Sequence, residues 1–320
     1  MSLNANHITV WLFGNYTIDS KIYIKNDKEI VIQSYGGSVN FGSQTLKVFY
    51  PDIQYKVFSN GYPSSQNPEF TEKLTHYILD YTTETRTLKL QYFPTGEINF
   101  PLNSDIKPNI VFLTPVYHEL SENLVINLRK KFSDVLFAYD PQGWCRELNP
   151  ISNEIVIKEW FPSEIFLQSN TIIKMSSEDL KLSAENNLED FIQKIVNKKV
   201  ILIITAGLRG NICIYQKNLS ESLICFYTPV KSVSKMVDTT GAGDVWLVAF
   251  TTTFYATKDI KKSLATAAVL ASCKVQAEGL HFPVTIKKDL QQMIQDHEKQ
   301  IINLEFNKDE LLKIFSDKKF

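Results

Sequence analysis

The sequence predicts an α/β protein built on a mostly parallel sheet, with a second, smaller sheet beside it. Three observations carry this. Short apolar runs at residues 8–13, 109–113, 135–139, 171–174 and 199–204 are separated in the middle of the chain by stretches of helical period. That alternation is the pattern of βα units around a parallel sheet. Two early stretches, near residues 21–33 and 86–93, instead alternate apolar and polar side chains with period two, as strands with one covered face do. A continuous apolar segment at residues 245–250, directly after a glycine-rich turn, reads as a buried helix.

The chain has 320 residues, 44% hydrophobic and 22% charged, which is ordinary globular composition. That is enough for a large core, and the expectation is one domain over residues 1–320, with the strands of the small sheet inserted at about 16–35 and 85–101. A net charge of −1 provides no basic footprint for nucleic acid. No apolar run approaches the roughly 20 residues of a membrane span, and the N-terminus lacks the basic-then-apolar layout of a signal peptide. A cytoplasmic protein is expected. Cys145, Cys213, Cys225 and Cys273 are widely spaced with no C-x-x-C, so they read as reduced thiols rather than metal ligands.

In chain order, the first strand ends at Gly14, and Asp19 follows in a segment that leads into a half-exposed hairpin. Gly36-Gly37-Ser38-Val39-Asn40 opens a helix running to about Phe49. Residues 54–59 form a strand, and residues 86–93 and 97–100, around a Thr95-Gly96 turn, form a second hairpin. Residues 120–131 are helical, and the strand at 135–139 ends at Asp140-Pro141-Gln142-Gly143. Ligands of parallel sheets bind beyond such carboxyl ends, which marks Asp140, Gln142 and Arg146. The strand at 171–174 leads into a helix starting at Ser176 to Asp179, and the strand at 199–204 into Thr205-Ala206-Gly207-Leu208-Arg209-Gly210. Residues 260–277 form an Ala-rich helix, and residues 285–304 and 307–315 two closing amphipathic helices.

The chemistry concentrates at Asp238-Thr239-Thr240-Gly241-Ala242-Gly243-Asp244. Glycines let the backbone turn tightly. The first turn of the following helix has free N–H groups and partial positive charge, so it attracts an anion. Asp244 sits on that same turn. An anion cradle beside a carboxylate is what phosphoryl transfer to an alcohol needs.

These seven residues resemble the C-terminal signature of the ribokinase/PfkB family of carbohydrate kinases. The Asp-x-Gln-Gly-x-x-Arg run at residues 140–146 and the segments at 14–19 and 114–116 are similar to a branch related to inositol and other sugar kinases. The resemblance implies a ribokinase-like three-layer sandwich whose small sheet is a lid over the acceptor. It implies ATP and Mg²⁺, with Asp244 as general base and the amides of Gly241, Ala242 and Gly243 as anion hole. Asp19 would accept hydrogen bonds from acceptor hydroxyls, with Gly36, Gly37, Asn40 and Gln142 around the acceptor. Lys174, Thr205, Gly207, Gly210, Thr240 and Gly279 would border the nucleotide, the last in the loop beside the adenine. Many family members carry Asn-x-x-Glu where this chain has Ser176 and Asp179, so Asp179 is the candidate for an indirect Mg²⁺ contact.

The expected function is therefore transfer of the γ-phosphate of ATP to a hydroxyl of a small sugar, polyol or nucleoside. Tyr16, Tyr23 and Tyr92 would either stack on a base or pack the lid, whose exposed edge offers a pairing surface to a second copy. The alternative is a ligand-binding or regulatory member of the same fold with weak catalysis. A dinucleotide-binding oxidoreductase is disfavoured, because no Gly-x-Gly-x-x-Gly follows the first strand.

Overall fold

The computed structural model describes residues 8–63, 74–83, 87–94, 96–98, 100, 106–183, 188–217, 221–283 and 289–306. Strand β1 (Thr9–Phe13) is followed by β2 (Thr17–Lys25) and β3 (Lys28–Gly36), helix α1 (Ser38–Phe49) and β4 (Gln54–Phe58). Next come β5 (Thr75–Asp80), β6 (Thr87–Tyr92), β7 (Ile110–Leu113), α2 (Glu122–Lys131) and β8 (Leu136–Tyr139). A short hairpin, β9 (Arg146–Leu148) and β10 (Ile155–Ile157), precedes β11 (Thr171–Ser176), α3 (Ser177–Ser183), α4 (Leu188–Val196) and β12 (Val200–Thr205). The chain then runs through β13 (Asn211–Tyr215), β14 (Ile224–Thr228), α5 (Ala242–Thr257), α6 (Ile260–Lys274), α7 (Leu290–Glu298) and β15 (Ile302–Leu304).

The large sheet has the order β15-β14-β13-β12-β11-β8-β7-β1-β4. From β12 to β4 every pairing is parallel, and β13, β14 and β15 extend it antiparallel. Successive side chains of a strand point to opposite faces. Val10 and Leu12 accordingly pack with α1, α5 and α6, while Trp11 and Phe13 join the core with α2 and α4. Both faces are covered, which is why these strands read as unbroken apolar runs. The order turns back at β1, with β4 on one side and β7 on the other, and such a reversal leaves a crevice beyond the carboxyl ends.

The small sheet has the order β3-β2-β5-β6. Its hairpin turns at Asn26 and Asp27, both left-handed (φ 52° and 55°), as a two-residue loop between twisted strands requires. The structure differs from expectation in its other strands. Glu97, Ile98 and Phe100 form no strand; β6 pairs instead with β5, which also lies parallel to β2. Ile98 donates its N–H to Glu119 O at 3.0 Å and is buried, so this segment leaves the lid for the core. β3 is an open edge carrying exposed Ile30, Val31, Ile32 and Tyr35. Tyr23 stacks on Tyr81 at 5.0 Å and Tyr16 tilts against Tyr62 at 5.7 Å, so both are spent on packing, and Tyr92 is exposed.

Near the C-terminus, Ile302–Leu304 is a strand on β14 rather than helix. Three residues carry too little periodicity to announce a strand, and the neighbouring edge supplies the hydrogen bonds. The helix expected at residues 307–315 lies outside the described residues.

Candidate active site

Two adjoining cavities open beyond the carboxyl ends of β1, β7, β8, β11 and β12. The first, of about 230 Å³, is lined by Asp19, Gly37, Gln142, Lys174, Thr240, Gly241, Gly243 and Asp244 among others. The second, of about 570 Å³, is lined by Asp179, Thr205, Gly207 and Arg209, with Gln142 and Lys174 shared. Residues separated by more than 200 positions thus line one cavity.

Helix α5 starts in the floor of the first cavity. Gly241 is its N-cap, left-handed at φ 77° and ψ 0°, and a Cβ there would lie 2.3 Å from the Phe41 ring. The Ala242 N–H turns back to Thr239 O at 3.2 Å, so it is not available as the sequence reading expected. The N–H groups of Gly241, Gly243 and Asp244 have no acceptor among the described residues and remain for an anion. Lys174 reaches the same turn from β11: a Cβ on Gly243 would lie 2.9 Å from its Nζ. Lys174 is buried and forms an ion pair with Asp140, at the end of β8. Burial opposes its charge, but Asp140 and Asp244 hold its pKa above the ordinary value.

Burial pushes the Asp244 carboxyl up to about 7. Lys174 and Arg146 pull it down, while Asp140 and Asp19 push it further up. A carboxyl poised near neutrality is the form a general base takes. On the lid, Asp19 is buried and accepts a hydrogen bond from the Thr17 hydroxyl at 2.8 Å; burial raises its pKa as well. Gly36 pairs with Thr17 across β2 and β3, diagonal to Asp19, and a Cβ there would fall 2.2 Å from Asp19 Oδ2. Gly36 thus makes room for the carboxylate and does not itself line either cavity. Gly37, left-handed at φ 96°, does line the first cavity.

Other predicted residues stand back. Asn40 lies in α1 with its carbonyl accepting from the Ser43 hydroxyl, and it lines neither cavity. Gly210 turns the chain between β12 and β13, where a Cβ would meet Thr228 O at 2.3 Å. Gly279 donates its N–H to Asp238 Oδ2 at 3.1 Å and so steadies the motif from behind. Asp179 and Ser176 form a reciprocal cap: the Ser176 hydroxyl donates to Asp179 Oδ2 at 2.7 Å, and the Asp179 N–H donates to Ser176 Oγ at 3.1 Å. The Asp179 carboxyl still lines the second cavity, and burial raises its pKa. No group of three metal-ligating side chains occurs among the described residues. One carboxylate beside a cavity does suit Mg²⁺, a cation that keeps most of its waters and draws other ligands from phosphates.

Asp238 acts as a hub that the motif alone did not reveal. Its Oδ1 accepts from Thr240 N–H at 3.0 Å and pairs with Lys21 Nζ at 2.9 Å; Lys274 Nζ stands 3.8 Å from Oδ2 and donates to Asp238 O at 3.1 Å. Burial works against its charge, but Lys21, Thr240 and Lys274 hold its pKa down at about 2. Thr17, Asp19 and Lys21 are alternate residues of β2, and period two was the signal that could have placed all three on one face. Lys21→Met is expected to cost about 3 kcal/mol of unfolding free energy, since it strips a buried charge of its nearer partner and leaves only Lys274 at 3.8 Å. Urea unfolding measures this, and an unchanged midpoint would show that the pair contributes nothing.

Residues 164–287 match the model of the pfkB family carbohydrate kinases. No curated protein matches the chain. Among solved structures, a pyrophosphate-dependent kinase in the ribokinase family, in a sulfate complex, is 21% identical, with a TM-score of 0.64 over 88% of this chain and 99% of that one. Arabidopsis thaliana ribokinase complexed with ribose and ATP is 16% identical, with a TM-score of 0.64 over 90% and 99%. A Methanocaldococcus jannaschii nucleoside kinase of the ribokinase family is also 16% identical, with a TM-score of 0.64 over 91% and 99%. No helix among the described residues is long and apolar enough to cross a membrane.

Proposed function

We infer that this chain, a ribokinase-fold carbohydrate kinase of the pfkB family and hence a phosphotransferase with an alcohol acceptor, transfers the terminal phosphoryl group of ATP to a single-ring sugar or polyol. The observation that carries this reading is the placement of Asp244 in the first cavity, beside free amides and facing the same space as Asp19. At about 230 Å³ that cavity is smaller than the roughly 300–1,000 Å³ of pockets for drug-sized ligands, which favours one ring over a nucleoside. A carboxylate accepts from two neighbouring hydroxyls at once, so Asp19 suits a diol. Tyr77, Leu79 and Leu88 supply apolar wall, and none of Tyr16, Tyr23 and Tyr92 reaches it.

In the reaction Asp19 orients the acceptor, and Asp244 takes the hydroxyl proton as the oxygen attacks phosphorus. The N–H groups of Gly241, Gly243 and Asp244 face the charge that develops on the transferred group. Lys174, Thr205 and Gly207 would hold the donor phosphates, with Asp179 toward Mg²⁺. When bound, the metal neutralises phosphate charge. Closure of the lid keeps water from competing with the acceptor.

The test is a matrix of donors, ATP and inorganic pyrophosphate, against sugars, inositols and nucleosides with Mg²⁺, read by phosphorylated product. The expected result is product from ATP and a sugar or cyclitol, with a melting-temperature rise when acceptor and a non-hydrolysable ATP analogue are both present. Turnover with pyrophosphate alone would overturn the donor, and turnover of nucleosides alone would overturn the acceptor.

A further inference from the structure

Leu88, Asp140, Gln142, Arg146 and Lys174 line both cavities. A phosphoryl group leaving a donor beside Thr205 and Gly207 for an acceptor beside Asp244 crosses this junction, because here the two spaces share their walls. Two of the five residues are cations. Lys174 is already answered by Asp140. Arg146 is not: it makes no ion pair among the described residues. Its Nη1 donates to Val116 O at 2.7 Å and to the Tyr77 hydroxyl at 3.4 Å, both neutral acceptors, and its Nε has no partner. The residue is only 9% exposed. Its direct hydrogen bonds thus all go to neutral groups, and the carboxylates of Asp19 and Asp244 act on it only through space, which leaves a buried charge that an anion in direct contact would complete.

We propose that Arg146 is a catalytic residue that grips the phosphoryl group in transit between the two cavities; this rests on the function proposed above. In the step, the bond from the donor's terminal phosphorus to its bridging oxygen breaks, and the electron pair stays on that oxygen. The acceptor oxygen bonds to phosphorus, and its proton passes to Asp244. Charge spreads over the three remaining oxygens of the moving group. A planar guanidinium presents parallel N–H donors to two such oxygens, which a lysine cannot. Val116 and Tyr77 fix the plane beforehand, so the group is preorganised. Arg146 also lowers the proton affinities of Asp244 and Asp19 through space.

The experiment compares Arg146→Met and Arg146→Lys with wild type in transfer kinetics and in calorimetric titration with inorganic phosphate. The Met variant is expected to lose about 10²–10⁴ in kcat, with acceptor KM within about threefold. Its acid limb should move to higher pH, phosphate affinity should fall at least about tenfold, and added guanidinium should restore part of the rate. A kcat at the wild-type level, or a loss confined to acceptor KM, would overturn the proposal. If the Met variant does not fold, the Lys variant is judged on the same criteria. If wild type phosphorylates no acceptor, the proposed function fails on its own, and equal phosphate affinity in wild type and the Arg146 variants then overturns this inference.

Discussion

Asp244→Asn is expected to lower kcat by about 10²–10⁴ while leaving acceptor KM within a few-fold, the signature of a lost general base. The substitution keeps shape and removes the proton acceptor. Wild type should show the matching pH dependence. The working form is the carboxylate, and its pKa of about 7 places half-activity near neutrality. Below that, kcat should fall about tenfold per pH unit and level off above it. The Asn variant should lose this limb. Stability must move the opposite way. The folded state raises the pKa above its unfolded value, so it binds the proton more tightly, and stability falls as pH rises from about 4 toward 7. Removing the charge should therefore raise the melting temperature at pH 8 more than at pH 5. Loss of activity with a lower melting temperature would point to damaged folding instead, and an unchanged kcat would sink the assignment.

The residues proposed to carry chemistry stood out in the sequence because their spacing has a local cause. Gly241 is readable since a left-handed N-cap beside a ring tolerates little else, and Asp244 since the helix turn it opens is fixed by the same glycines. The core strands were legible because burial on both faces demands continuous apolar sequence. The lid was harder. β5 pairs parallel to β2, across a separation in sequence that no hairpin signal bridges, and Thr75–Asp80 has only two buried large apolar residues, Tyr77 and Leu79. The Lys21–Asp238 pair spans more than 200 residues, so nothing local to either residue announces the other. Arg146 stood in a recognised run, but its bridging place depends on two cavities meeting. The lost Ala242 amide depends on one turn, from Thr239, that composition cannot specify.

Gly241→Ala is expected to damage both folding and turnover. A non-glycine residue in the left-handed region costs roughly 1–2 kcal/mol. Here the new methyl would also lie 2.3 Å from the Phe41 ring, inside the packed face between α1 and α5, and overpacking adds about 1–3 kcal/mol. The chain can relieve this by rotating the loop between Asp238 and Ala242. That rotation carries the Gly241 and Gly243 amides away from the phosphoryl position, and losing one such donor costs about 10²–10³ in kcat. The variant should therefore lose both melting temperature and turnover, with acceptor KM little changed because Asp19 sits on the lid. Pairing it with Phe41→Leu separates the two contributions. The smaller side chain frees space for the methyl but leaves the backbone strain, so stability should recover in part and kcat more than stability. If Gly241→Ala turns over within about threefold of wild type, the amides of this turn do not stabilise the transferred group, and the anion site must be sought among Lys174 and Arg146 alone.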